Sequence, residues 1–277
     1  MGKITLKRWF QILGIYAKMD MAALFRDTKF MLIALFADII SDISAISGIF
    51  LLAWRFDGIG GLDRFEILFM LAYGGIVNGV INIIDRGNGS FPSRIIGRGQ
   101  WEHMFIMPLP YTVQMFGFFP FTCSGRLVSG IILMIAAVTN LPALPAWWMA
   151  ILIGNIVISI IIIIALSYLV SSTAFYAPVQ CEEISSTVRY SVEHTANFPL
   201  SGMPLYMQVP LLTVFPAGLI AWLPTLIILG KTPIITNLYP IIFAVLLSLS
   251  ATHFFKKGFR YYVKKGINRY HAGGHRN

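Results

Sequence analysis

Long apolar runs separated by short polar islands organise this chain. Apolar windows cover Phe30 to Trp54, Ile67 to Ile84, Tyr111 to Thr139, Trp147 to Phe175 and Leu238 to Phe255. Each is at or near the roughly 20 residues that carry a helix across a ~30 Å hydrocarbon core. Their polarity is too irregular for the alternation of barrel strands, and lipid offers backbone groups no partner outside their own helix. The pattern predicts an all-α polytopic membrane protein. Residues 1–29 differ: Phe10, Leu13, Ala17, Met21 and Leu24 recur at helical spacing, with Lys7, Arg8, Lys18 and Arg26 largely off that stripe. This is the pattern of an amphipathic helix lying along a membrane surface. It lacks the short basic region, apolar run and cleavage site of a leader, so it is expected to be retained.

The island from Asp85 to Pro110 contains the stretch "IIGRGQWEHMFIMPLP", residues 95–110. Gly97 and Gly99 let the chain turn, Trp101 and Phe105 fall on one helical face, and Pro108 with Pro110 stop the helix. A short helix over about 94–107 follows. On it Glu102 and His103 are available to meet a partner, and Arg94 and Arg98 are placed to meet lipid phosphates or an acidic protein surface. An ordinary interfacial loop is the plain alternative.

Between Ala177 and Asn237 the pattern is ambiguous. Residues 178–197 carry Glu182, Glu183, Arg189, Glu193 and His194, which is polar for a lipid-facing helix. Seven of the 14 prolines then fall between Pro199 and Pro240, and an interior proline removes a helical hydrogen bond. In one reading 183–198 is a polar crossing shielded by other helices, and 199–231 is a broken pair that dips into the membrane and returns. In the other, 178–203 lies on the surface and 206–229 is a kinked span; hydropathy alone favours this one.

Composition agrees with a lipid setting, since 57% of residues are hydrophobic and 12% charged, against about 25% charged in soluble domains. The formal charge of +9 does not indicate nucleic acid, because 13 of the 21 Lys and Arg sit in residues 1–29 and 256–277. Three more lie in the island and none in the loop 140–146. By the positive-inside rule both ends and the island are cytoplasmic, with 256–277 a basic tail. Two ends on one side require an even number of crossings. Cys123 and Cys181 form no disulfide framework or metal motif.

Polar residues inside the runs are the candidate chemistry. Asp38 and Asp42 share one face of the first span with Ser41 and Ala45 nearby, and an acid at that depth usually faces protein or water. They either line a transport path that meets a cationic or hydroxylated group, or pair with Arg126 or Arg189 between helices. Asn78, Asn82 and Asp85 form a second stripe, of the kind that makes interhelical hydrogen bonds.

The whole arrangement resembles the membrane subunits of type II ABC exporters. A basic surface helix, an island between spans two and three ("GRGQWEHMFIMPLP"), the segment "FPLSGMP" (198–204) before a proline-broken stretch, and the tail "KKGINRYHAGG" (264–274) carry the resemblance. It implies six crossings, with 183–198 the fifth and 199–231 a broken outer-leaflet re-entrant segment. It implies that 94–107 is a coupling helix, with Arg94, Arg98, Trp101, Glu102, His103 and Phe105 meeting a separate cytosolic ATPase. Asp38, Asp42, Asn78, Asn82, Arg126, Arg189 and Glu193 would be transport-path or interhelical polar residues. The implied partners are that ATPase, a second permease subunit, identical or related, and plasma-membrane lipid.

No cofactor site is expected in this chain: ATP and Mg would be held by the ATPase. "LIILGKTP" (226–233) lacks the first glycine of a phosphate loop, since position 225 is Thr, and "GIGGLDR" (58–64) lacks a dinucleotide context. No metal site is expected either, because His194 with Glu193, and His271 with His275, lack third and fourth ligands at familiar spacing. "NGS" (88–90) falls on the predicted cytoplasmic side, where it would not be glycosylated. A secondary carrier binding protons or sodium at Asp38, Asp42 or Glu193 is the alternative, though no inverted repeat accompanies it.

Overall fold

The computed structural model describes residues 6–84, 89–107, 114–115, 125–142 and 144–265. Eleven helices are described: α1 (Leu6–Arg26), α2 (Thr28–Arg55), α3 (Arg64–Ile84), α4 (Pro92–Gly97), α5 (Gln100–Ile106), α6 (Gly125–Asn140), α7 (Trp148–Ser171), α8 (Ile184–Ala196), α9 (Leu205–Thr213), α10 (Trp222–Ile228) and α11 (Leu238–Lys265). Short 3-10 turns follow α7 at Ser172–Phe175 and flank α9 and α10. Among the described residues there is no strand, only an isolated bridge between Ile59 and Leu62.

Four elements are long and apolar enough to cross a membrane: α2, α3, α7 with its 3-10 extension, and α11 with the turn before it. Their outward faces carry exposed Phe36, Ile40, Leu51, Ile153, Val157, Leu246 and Leu249, the placement lipid favours and water penalises. The protein is a multi-pass membrane protein.

Helix α3 is the hub. Ile67, Phe69, Met70, Tyr73, Val77 and Ile81 are buried on it, because α2, α6, α7, α8 and α10 all pack around it. Glycines set the closest approach. A Cβ at Gly79 would lie 2.6 Å from the Leu127 backbone, and one at Gly130 would lie 2.8 Å from the Ile76 nitrogen. Such contacts let α3 and α6 backbones meet, which is how helices associate where no water drives them together. Tyr73 adds a polar tie: its hydroxyl lies 2.9 Å from Ser159 Oγ, which donates to the Ile220 carbonyl at 3.0 Å.

The two ends of the bundle are distinct. At one end the 58–62 turn links α2 to α3; at the other lies the island, α4 and α5. Helix α8 joins them. Ser185 near its start lies 2.6 Å from Ser93 of the island, and the Ser201–Gly202 turn just after it packs against Gly60. The following segment is bent by 73° between α9 and the 217–228 stretch, with Pro210 inside α9 and Pro216 at the break. It also returns to its origin, since Lys231 Nζ donates to the Gly61 carbonyl at 2.9 Å. Both ends of the bent segment therefore meet one turn.

Several sequence expectations need adjustment. The helix expected over 94–107 is two helices, because Gly99 takes a left-handed φ of 71° between them. Only Gly125–Asn140 of the run from Tyr111 is a described helix of useful length; at 16 residues it is shorter than a full span, and most of 108–124 lies outside the described residues. Helix α8 has 13 residues, about 20 Å at 1.5 Å per residue, and follows a run of turns over 178–183. The last helix continues to Lys265, so residues 256–265 of the basic tail are helical: Gly258 packs against Phe175 and Ser172, and Tyr262 is buried. Residues 266–277 lie outside the described residues.

Because α3 and α6 touch through backbone at Gly79, Gly79→Val should lower the thermal stability of the purified protein by about 2 kcal/mol or more through overpacking. Gly154→Ala, where a Cβ meets nothing within 4 Å, should leave it unchanged or slightly raised.

Candidate functional site

Two polar constellations stand out, one in the middle of the bundle and one at the island end. The first is centred on Arg126, in the first turn of α6. Its backbone N–H donates to Asp38 Oδ2 at 2.9 Å, and its Nε lies 3.0 Å from Asp42 Oδ1. Its Nη1 is paired with Glu193 Oε1. Ser129, one turn along α6, donates to the other Asp42 oxygen. One arginine thereby holds α2, α6 and α8 together through three carboxylates, Asp38, Asp42 and Glu193.

Of the two partners open to Asp42 from sequence, the structure selects Arg126. Arg189 instead donates to Asn82 Oδ1 at 3.0 Å and stacks over the Phe91 ring at 5.0 Å. Asn78 donates to its own helix, at the Gly74 carbonyl 3.1 Å away. The Asn78 Oδ1 and Glu193 Oε2 atoms are buried with no hydrogen-bond partner among the described residues. Asp85 lies outside the described residues.

The second constellation braces the island. Arg94 Nε donates to both Glu183 oxygens at 2.9 Å, with Nη2 at 2.6 Å from one of them. Arg98 Nε donates to Glu182 Oε1 at 3.0 Å. The Arg94 hydrogen bonds, with help from the Ser186 hydroxyl, hold the Glu183 carboxyl below its ordinary range, and Glu183 in turn raises Arg94. Ser93 is a hub: its N–H donates to Ser171 Oγ at 3.0 Å and its hydroxyl to the Glu182 carbonyl at 2.8 Å. Gly97 is pressed against Pro178 and Glu182, where a Cβ would lie 2.7 Å from the Pro178 carbonyl oxygen.

Trp101 completes the brace. It is buried among Phe175, Phe255 and Phe259, with ring centroids 5.9, 5.7 and 6.2 Å away. Such tilted and edge-on pairs stabilise beyond their buried area. Glu102 accepts from the Tyr262 hydroxyl at 3.1 Å.

Arg94, Arg98 and Glu102 have partners within the chain: the acids just before α8 and a tyrosine on α11 engage them. The Phe105 side chain lies outside what is described. His103 is exposed, and beside it stand Ile106, 81% exposed, and Met107, 52% exposed. The outward surface is thus an apolar tip, which the spacing of charged residues does not single out. Its one signal is the lack of a polar residue at the end of "HMFIM". Glu182 and Glu183, by sequence a burden on a crossing helix, are the island's counter-charges.

Residues 39–266 match the family described as ABC-2 family transporter protein. No curated protein shows a significant match to the chain. The same holds for solved structures.

Removing the Arg126 guanidinium leaves Asp42 and Glu193 without their counter-charge, while Asp38 keeps the backbone N–H. Arg126→Met should destabilise the protein by about 3–5 kcal/mol, the cost of orphaning buried charge. Adding Asp42→Asn and Glu193→Gln to it should recover much of that loss in thermal unfolding. A triple variant no more stable than the single one would mean that the cluster is not a charge-balanced unit.

Proposed function

The chain belongs to the ABC-2 transporter family and is the permease of an ABC transporter, and from this premise we propose that it is the membrane subunit of an ATP-driven exporter. It lines the path as a dimer, with itself or a related permease, and takes its energy from a separate cytosolic ATPase that binds ATP and Mg. The family is one of transporter membrane subunits and not of enzymes, and association with an ABC ATPase follows in general terms.

The observation that carries the coupling scheme is the braced island. A short helix that transmits force must be stiff on one side and accessible on the other. Helix α5 meets both conditions: Trp101 is locked among aromatic rings of α11 and the 172–175 turn, while Ile106 and Met107 project. A displacement of this tip is passed to α7, α8 and α11 together through Ser93, Arg94, Arg98 and Tyr262. Rigid-body motion of that group then biases the bundle between two states, as in other domain-level switches. The apolar tip is the ATPase contact in this scheme, with His103 on its rim.

Six crossings complete the reading: α2, α3, the run ending in α6, α7, α8 and α11. A 13-residue helix as polar as α8 is tolerated at membrane depth because Glu193 and Arg189 are engaged by Arg126 and Asn82. The bent 205–228 segment is re-entrant from the outer side, with the ends of the chain and the island in the cytoplasm.

Two measurements test this. With its ATPase co-expressed, the permease should co-purify with it. Ile106→Asp with Met107→Asp should reduce that recovery by about ten-fold or more, as loss of an apolar anchor does, with the monodispersity of the permease unchanged; undiminished recovery would remove the tip from the docking site. A single cysteine at Ser201, in a chain lacking Cys123 and Cys181, should react with an impermeant maleimide from outside intact cells. Reaction only after permeabilisation would invert the topology.

A further inference from the structure

The Arg126 cluster does not balance its own charge. Among the described residues two buried carboxylates, Asp42 and Glu193, flank one guanidinium, and a third acid, the half-buried Asp38, accepts from the Arg126 backbone N–H. The other charged group on this stretch of α8, Arg189, is directed to Asn82 and Phe91; His194 and Asn197 lie on the open side. An excess of buried negative charge in a low-dielectric setting attracts a cation strongly.

The geometry provides a place for one. A chamber of about 20 Å³ is bounded by Asp42, Gly74, Asn78, Arg126, Glu193 and Asn197. That is room for a single water-sized group, which needs about 10–15 Å³. Two of the lining side chains present unpartnered oxygens: Glu193 is 7% exposed and Asn78 is 4% exposed, and neither Glu193 Oε2 nor Asn78 Oδ1 has a hydrogen-bond partner among the described residues. Asp42 adds a third acceptor oxygen, shared with Arg126. The two unpartnered oxygens are acceptors, the one unpartnered guanidinium N–H, Arg126 Nε, lies 3.0 Å from Asp42 Oδ1, and the chamber holds two carboxylates to one cation, so a cationic donor fits it.

The chamber borders a second space. A crevice of about 340 Å³, within the size range of small-molecule pockets, lies between α2 and the end of α8, lined by Ala45, Gly48, Ile49, Leu52, His194 and Phe198. Ala45, His194 and Asn197 border both spaces. Apart from His194 and Asn197, the crevice wall is apolar. A water-sized anionic chamber at the foot of an apolar crevice matches a molecule with a small cationic head and an apolar body.

We propose that the chamber and crevice form one binding site for an amphipathic primary amine, its ammonium held by Glu193, Asn78 and Asp42 and its apolar part lying against α2 and Phe198. A primary ammonium has three donors and no acceptor, which matches the two unpartnered oxygens of Glu193 and Asn78 and the shared oxygen of Asp42. A quaternary head is too large for the chamber, and an alcohol would leave the excess charge in place. The site depends on no energy source, so it stands or falls apart from the ATPase scheme.

The test uses the full chain in lipid nanodiscs with radiolabelled 2-phenylethylamine at neutral pH. Saturable binding is expected above that of empty nanodiscs, competed by unlabelled primary amines but not by 2-phenylethanol or sodium chloride. Glu193→Gln should weaken it by about ten-fold or more, the worth of one charge-assisted hydrogen bond. Gly48→Phe provides a second arm independent of the charge cluster: Gly48 borders the crevice and a Cβ there meets nothing within 4 Å, so a ring is added beside the crevice with no clash at its Cβ, and affinity should fall by a similar factor. Absence of saturable binding, equal competition by the alcohol, displacement by sodium, or full affinity in Gly48→Phe would each overturn the proposal. If Glu193→Gln does not fold, competition and Gly48→Phe decide. Loss of amine binding with ATPase recovery intact would defeat this inference alone.

Discussion

One buried guanidinium governs the middle of this molecule. Lipid-facing helices gain nothing from each other by excluding water, so their association rests on close packing and on polar contacts between helices. Arg126 supplies the polar contact for three helices at once. Without it, Asp42 would be a buried acid on α2 with no counter-charge, and α8 would carry Glu193 into the bundle with nothing to meet it. The polarity that makes α8 a poor crossing helix in isolation becomes the reason it is held between α3, α6 and α7.

The island depends on the same logic, applied in a more exposed place. Its two arginines are neutralised by acids that precede α8, and its tryptophan is enclosed by rings from α7's extension and α11. The central cluster and the island are thus joined by one element, with Glu183 at the head of α8 serving the island and Glu193 near its foot serving the cluster. A change at either end of α8 is felt at the other through 13 residues of helix.

How much of this is legible in the sequence follows from which signals are local. The spans α2, α3, α7 and α11 are readable because about twenty apolar residues in a row have one solution in lipid. Asp38 and Asp42 announce themselves because an acid in such a run is costly, and Arg126 is one of two partners the sequence leaves open. The pairing of Arg94 with Glu183 and of Arg98 with Glu182 is not readable: those partners are 89 and 84 residues apart in the chain, and no periodicity connects them. The end of α11 is hidden for a related reason. Lys256, Lys257 and Arg260 look like a solvated tail, yet Gly258, Phe259 and Tyr262 continue the helix against the 172–175 turn.

The glycine contacts between α3 and α6 bear on how such a body can change shape. Two backbones that meet at van der Waals distance through Gly75, Gly79 and Gly130 have no side-chain layer between them to slide or re-pack. This pair is a stator. Any large excursion is left to the opposite flank, where α2 and α8 are separated by open space and fastened chiefly by charge, and there a swing of one helix costs electrostatic work instead of steric collision.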